Sequence, residues 1–394
     1  MSPSKPIHTG ARIAHTRKIR HLTQRELASR ANVSYSTVTK IEQGILPVSP
    51  SVLGALARAL SVSVTDLSGQ PYIDELRRDQ LDALIDPIRE ALDAYDLWQD
   101  SGVPPRPETE LSAHAEALCA MVRAGNIKKA AAELPGLIYE ATAVAHTGSG
   151  TRSWARLAST YRTAYDVTTK LGYYDLCTVA LDRMEWASER ASDPILGGMR
   201  QYFRALAYLR AGNYERGRRL VDLGMLRLDQ ADSGRELDVV RGQLHLGAAV
   251  LAGRKKDRES AEGHLQEAER IALRTGPAEK EYWLSFGPTN VGVHRVSVLA
   301  ELDLYPEAVR SAEEIAIPDR WPPSRLAHHH AEVARAQMWT GHTKAAFKNL
   351  QSAREIAPQQ TRYHSTVRET YRGLESSKRS MPQAFSAFGT WLGM

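Results

Sequence analysis

The sequence predicts an all-α protein: an N-terminal five-helix bundle, linker helices and a C-terminal α-solenoid. Three observations carry this reading. Apolar residues recur at helical spacing, and no strand-like alternation is sustained beyond Glu108. Between Leu22 and Gly44, two short amphipathic helices meet at a three-residue corner. Farther on, turns of similar chemistry return at near-regular intervals, as in a chain built from one repeated supersecondary unit. The boundaries fall at 1–70, 71–107 and 108–394.

Residues 1–9 read as a short flexible arm carrying Lys5. A first helix runs from about Gly10 to His21, with Ile13 and Ile19 inward and Arg12, Arg17, Lys18 and Arg20 on its polar side. Thr23 is placed to cap the second helix, and Glu26 three residues on completes a capping box. Leu27 and Ala28 form that helix's apolar face. Ala31-Asn32-Val33 makes the corner, where Asn tolerates the left-handed conformation a tight turn needs. Ser34 caps the third helix, Val38 and Ile41 face inward, and Gly44 ends it. Its other face offers Tyr35, Ser36, Thr39 and Lys40, hydrogen-bonding groups without a balancing carboxylate. Past an uncharged Pro-rich loop, Ser51 opens a helix whose stripe is Val52, Leu53, Leu56 and Leu60; a half-turn from Val64 to Leu67 completes the bundle.

Residues 22–44 resemble the helix-turn-helix of lambda-repressor-like (XRE family) regulators, through Gln24, Ala28, Asn32, Val33, Val38 and Ile41. Asn32 stands where that family usually has Gly. The resemblance implies a DNA-binding transcription regulator whose third helix lies in the major groove of double-stranded DNA. Tyr35, Ser36 and Lys40 then occupy base-reading positions, with Thr39 beside them. Lys40 can donate to guanine O6 or N7. Gln24 is expected to hold a phosphate and to buttress the recognition helix. Ser34, Gln43, Arg12 and Arg17 are expected as backbone contacts, which set register rather than sequence. The family often carries a cation in the loop after the recognition helix, and Ile45 to Ser51 carries none. Fewer backbone contacts follow, with more reliance on a homodimer or on the Lys5 arm; alternatively, the apolar loop packs against a partner protomer.

Charge supports this assignment. Residues 1–70 hold nine Lys and Arg against three Asp and Glu, a net +6, which leaves −1 for the rest of a chain whose net charge is +5. The whole basic excess therefore sits where phosphates would be met. The chain has 42% hydrophobic and 25% charged residues, which fits globular domains. No apolar run is long enough to span a membrane, and the N-terminus lacks a secretory pattern, so a cytoplasmic protein is expected. Cys119 and Cys177 are too few and too far apart for a zinc site or a disulfide framework.

Ile73 to Trp98 is helical in pattern and interrupted at Asp86-Pro87, where Asp86 is placed as a cap and Pro87 at the first helical position. Ser101 to Pro107 reads as a semi-rigid connector, so 71–107 is expected to be the mobile element and to help pair two protomers. The recurring turns centre on Gly125, Gly172, Gly212, Gly253, Asp303 and Gly341. Ala130, Cys177, Gly217, Ala308 and Ala346 follow five positions after their turns, small enough for helices to cross closely. This resembles the tetratricopeptide repeat (TPR), best in the last unit through Ala334, Gly341, Ala346, Leu350, Ala353 and Pro358. Residues from about 360 are expected to cap the open end of the solenoid. The repeat register projects Arg162, Asp166, Tyr202, Leu206, Gln243, Asn290, Ser297, His328 and Arg335 toward a concave groove. Regulators of the two-part plan that this chain resembles bind short peptides there, which implies a peptide or small-molecule effector; a ligand-free dimerisation scaffold is the alternative.

No catalytic constellation stands out, so no enzyme activity and no cofactor or metal are expected. The Gly148-Ser149-Gly150 stretch lacks both the spacing and the lysine of a phosphate loop, and Ser149 lacks a strand–turn–helix setting. His328, His329 and His330 are adjacent on a helix, about 100° apart, and cannot converge on one ion. Glu281 to Ser297 joins aromatics, a Gly-Pro corner and polar groups, and is expected either to pack and cap a helix or to form a ligand-contacting rim.

Overall fold

The computed structural model describes residues 8–97, 106–148, 150–375 and 384–394. Lys5, Trp98, Ser149 and most of the Pro-rich connector lie outside these residues. The described residues are helical throughout, with no β-strand and no helix long and apolar enough to cross a membrane.

The N-terminal bundle comprises α1 (Thr9–Ile19), α2 (Gln24–Ala31), α3 (Tyr35–Glu42), α4 (Pro50–Leu60) and α5 (Val64–Ser68). Its local signals act as read. Thr23 and Glu26 form the reciprocal capping box of α2, Asn32 adopts φ +52° at the corner, and Ser34 accepts from the Thr37 amide. Ile13, Leu27, Val38, Ile41, Leu56 and Leu60 fill one core. Two details differ. Ser49, not Ser51, caps α4, because Pro50 takes the first helical position. Ile19 is 59% exposed, since α1 ends there and the inward side of its last turn is given to Arg17.

Next come α6 (Ile73–Arg78) and α7 (Ile85–Asp93). The break falls at 79–84 rather than at Asp86-Pro87: a 3₁₀ turn at Asp82–Leu84 leads directly into α7, so Asp86 lies inside the first turn and caps nothing. Neither helix is a free linker. Tyr72, Leu76, Leu81, Ile85, Ile88 and Leu92 are buried in the same core as the array that follows.

That array consists of antiparallel pairs: α8 (Glu108–Arg123) with α9 (Ile127–Thr147), α10 (Thr151–Leu171) with α11 (Tyr174–Ala191), and α12 (Pro194–Arg210) with α13 (Tyr214–Leu228). It continues with α14 (Arg235–Arg254) and α15 (Arg258–Thr275), α16 (Pro288–Glu301) and α17 (Tyr305–Glu313), and α18 (Pro323–Trp339) and α19 (Thr343–Ile356). Five pairs turn at the residue marked by sequence; the fourth turns just after it, at 255–257, with Gly253 still inside α14 and Lys256 at φ +64°. Ala130, Cys177, Ala308 and Ala346 are buried at the crossings, and a Cβ at Gly217 would stand 2.7 Å from Leu251.

The last helices, α20 (Pro358–Tyr363), α21 (Ser365–Glu375) and α22 (Ala384–Leu392), do not cap an open end. They join the end of the array to its beginning. Arg368, 2% exposed, donates to Glu75 Oε1 at 3.0 Å and to the Leu392 carbonyl at 2.7 Å, with Tyr72's ring 4.0 Å beneath it. Arg362 pairs with Asp79 at 2.5 Å, and the Lys128 amide donates to Gln359 at 2.9 Å. The helices α8 and α18 touch directly. The array is thus closed into a ring.

The N-terminal bundle is seated on this ring. Thr9 donates to Glu369 at 2.6 Å, Arg372 donates to both (3.2 and 2.5 Å), and Arg58 donates to the Gly212 carbonyl. Gly54 allows the closest approach, since a Cβ there would lie 3.2 Å from Gly212 Cα.

Arg368→Ala tests the closure. It leaves the Glu75 carboxylate, 11% exposed, without its cation and is expected to cost about 3–5 kcal/mol in urea unfolding. A loss below about 1 kcal/mol would show that the ring does not depend on this pair.

Candidate functional site

The outward face of α3 is the candidate nucleic-acid interface, and one carboxylate fixes it. Glu42, on the inner side of α3, accepts from Arg17 Nε and Nη2 of α1 at 2.7 and 2.8 Å and from Gln24 Nε2 of α2 at 2.8 Å. Arg17 also donates to the Leu22 carbonyl at 2.8 Å. Three helices therefore meet on one bidentate, mostly buried ion pair. Its hydrogen bonds to Glu42 raise the Arg17 pKa above its ordinary value, outweighing burial. Gln24's oxygen accepts from Thr39 Oγ1 at 3.3 Å, which braces α3 from beneath.

This geometry sorts the residues expected at DNA. Ser34, Tyr35, Ser36, Lys40 and Gln43 are exposed on or beside α3. Thr39 is half-buried, its hydroxyl turned to Gln24 and the Tyr35 carbonyl, so it supports the face rather than reading from it. Gln24 lies where a buttress would: its amide nitrogen donates to Glu42 and its oxygen accepts from Thr39, leaving one amide N–H for an outside partner. Arg17 is corrected from a backbone contact to an internal ion pair. Arg12 is corrected too: it is half-buried toward the ring, 3.4 Å from the Ser68 carbonyl. Burial and then the nearby Arg372 pull its pKa below the usual guanidinium range. One cation was missed: exposed Arg25 of α2 lies 5.5 Å over the Tyr35 ring, on the same face. Its signal was its place one residue after Gln24, beside the turn. The loop after α3 does not await a partner protomer throughout: Pro47 and Val48 face the chain's own ring and line a cavity of about 680 Å3 between bundle and array.

Inside the ring, several of the residues projected inward lie together. The first helices of successive pairs present Tyr202, Gln243, Asn290 and then Arg325 along one chain of hydrogen bonds. Gln243 donates to Tyr202 at 2.8 Å, Asn290 to Gln243 at 3.3 Å, and Arg325 to Asn290. Arg162, 1% exposed, pairs with Asp166 at 3.1 Å and donates to the Trp283 carbonyl at 3.3 Å. The Glu281–Ser297 segment thus closes onto the interior, and Phe286 packs over Gly242. His328 meets His364 at 3.1 Å. Three expected members do not join. Ser297 bonds back to the Val293 carbonyl, Leu206 packs on the core, and Arg335 is held by Glu301 and Glu332 at 2.9 and 2.5 Å near the cavity under the bundle. Sequence reasoning missed Arg123, Lys170 and Arg325. The first two could have been found, since each stands two residues before a turn glycine. Among the described residues, no three or more His, Cys, Asp or Glu come together as metal ligands.

Residues 13–67 match the helix-turn-helix family. A DNA-binding domain of the kind found in transcription regulators therefore heads the chain. The match does not extend into the array, and no curated protein and no solved structure matches the chain.

Two outcomes follow. Arg17→Ala is expected to lower the stability of the bundle by about 3–5 kcal/mol, seen as faster amide exchange in α1–α3, because it strands Glu42; unchanged exchange would contradict the internal role. Stability should also fall as pH drops from 6.5 toward 5. Burial lowers His294 to about 3 and His245 to about 4, so the unfolded chain takes up protons near 6.5 while the folded chain does not. Their contribution is full above 6.5 and is lost on acidification, in a range above that of the carboxylates. A urea midpoint equal at pH 7.5 and 5.0 would refute this.

Proposed function

We propose that the protein is a sequence-specific transcription regulator that binds DNA as a homodimer at two similar half-sites. Its array, TPR-like in turn spacing, binds a signalling peptide or small ligand that modulates DNA binding; no catalytic step is assigned, and the setting is cytoplasmic. The observation that carries the reading is the face of α3. Tyr35, Ser36 and Lys40 point outward from a helix clamped from within by Glu42, beside Arg25 and a net +6 in residues 1–70. In the major groove, Lys40 donates to guanine acceptors and Ser36 bonds to either partner type. Ser34 and Gln43, at the two ends of α3, are the backbone contacts that remain, with Arg25 replacing Arg12 and Arg17.

Modulation requires a ligand to prefer one of two arrangements. The contact available for this is the seat of the bundle on the ring, made by Thr9–Glu369 and Arg58–Gly212, with Glu369 also lining the interdomain cavity. A ligand-independent scaffold is the second reading, and the continuous hydrogen-bond chain from Tyr202 to Arg325 favours it.

Lys40→Ala and Tyr35→Ala should each weaken binding to the protein's own promoter DNA by about 1–3 kcal/mol and relax preference at one position per half-site. Log affinity should fall linearly with log salt. A variant carrying both changes with wild-type sequence preference would refute the assignment of α3 as the reading helix.

A further inference from the structure

The ring interior holds more positive charge than its own carboxylates balance. Helices α8 and α10 run side by side in a constant register. Ser112 bonds to Arg156 at 2.8 Å and Cys119 to Thr163 at 3.1 Å, each pair 44 residues apart. Arg123, one turn beyond Cys119, therefore lies beside the stretch between Asp166 and Lys170. Arg162, Asp166 and Lys170 follow at four-residue steps on one face of α10. From across the ring, Lys170 reaches Gln360, which donates to the Ser324 carbonyl at 2.8 Å and so brings up the start of α18. The next residue is Arg325.

Four cations thus gather around a single acid. Asp166 pairs only with Arg162 among the described residues. Among the described residues, Arg325 is held by the Asn290 amide oxygen rather than by a carboxylate, and Lys170 by an amide oxygen; the Arg123 side chain makes no hydrogen bond or ion pair. The Ser324 hydroxyl, on a residue 2% exposed beside Arg325, is buried without a partner; the Nε groups of Arg162 and Arg325 are too, as they are on the carboxylate-paired Arg335 and Arg368. Burying like charges without counterions is costly, because neither water nor an opposite charge replaces the lost hydration. The electrostatics agree. Burial, then Arg123, Arg325 and Arg162, pull the Lys170 ammonium down to about 7 against the opposing effect of Asp166. Arg123 and Lys170 are half-buried, so neither is sealed from solvent.

We infer that this cluster is a binding site for a small polyanion bearing carboxylate or phosphate oxygens, gripped by Arg123, Arg162, Lys170 and Arg325. The inference rests on the proposed effector role of the array and gives that effector a chemistry. Arg162 and Arg325 supply planar donors suited to oxyanions, and Lys170 supplies a point charge. Occupancy would join α8, α10, α18 and α20, the helices on both sides of the ring closure.

The test is thermal unfolding of the full chain in pyrophosphate and, separately, in citrate, each against sodium chloride of equal ionic strength. At least one polyanion should raise the midpoint by at least about 2 °C at millimolar concentration. A shift with pyrophosphate alone fixes the phosphate class, with citrate alone the carboxylate class, and with both a general oxyanion site. In Arg123→Met/Lys170→Met, the shift should vanish while the midpoint in chloride is not lowered, because like charges have been removed; a purely structural pair would lower it. If that variant does not fold, Arg123→Gln gives the same reading, and Lys170→Arg and the exposed control Lys129→Met should keep the shift. No shift with either anion, or an undiminished shift in the neutralised variant, overturns the site. DNA binding measured with the same anions separates the two claims. A thermal shift without altered DNA affinity keeps the site and removes this anion as the modulator of DNA binding.

Discussion

The architecture depends on the burial of Arg368. A guanidinium at 2% exposure needs its charge met, and Glu75, the Leu392 carbonyl and the Tyr72 ring meet it through both terminal nitrogens, leaving only Nε without a hydrogen-bond partner. Those partners come from α6 and the C-terminal helix, so satisfying one side chain brings the start and end of the array together. Asp79 with Arg362 repeats the arrangement one turn along. Once the ring is closed, the inner faces of its first helices must converge, and α20–α21 offers the bundle a seat through Glu369 and Arg372.

Glu42 plays the same part in the bundle. It gathers Arg17 and Gln24 and thereby sets the pose of α3. Two groups of cations stand out among the described residues. Arg17, Arg335, Arg362 and Arg368 are buried against carboxylates and hold helices together. Lys40 and Arg25 outside, and Arg123, Lys170 and Arg325 inside, have no carboxylate of their own among the described residues, and these are the ones positioned to meet something else.

The features legible in the sequence were those encoded within a few residues: the Thr23–Glu26 box, the Asn32 corner, the Ser34 cap and the six turns of the array. Each is a backbone group satisfied by a near neighbour, so residue type and spacing suffice. What escaped depended on distant partners. Arg17 looks like a surface cation until Glu42, 25 residues on, is folded beside it. The 71–107 segment reads as a linker because its amphipathic stripe does not say what covers it; the array core does. Closure depends on residues 293 apart and leaves no local pattern. The inner face was half legible: repeat register put Tyr202, Gln243 and Asn290 on one side, where they bond in a chain, but could not show that Arg335 is taken up by Glu301 and Glu332.

Closure also constrains how such a chain can change. An open solenoid gains or loses a helix pair at modest cost, because each unit touches only its neighbours. Here, an added or deleted pair would carry α6 away from α21 and leave Glu75, Asp79, Arg362 and Arg368 without partners at once. The number of units is therefore fixed by geometry, and variation is confined to side chains on the inner faces and to the lengths of the outer turns.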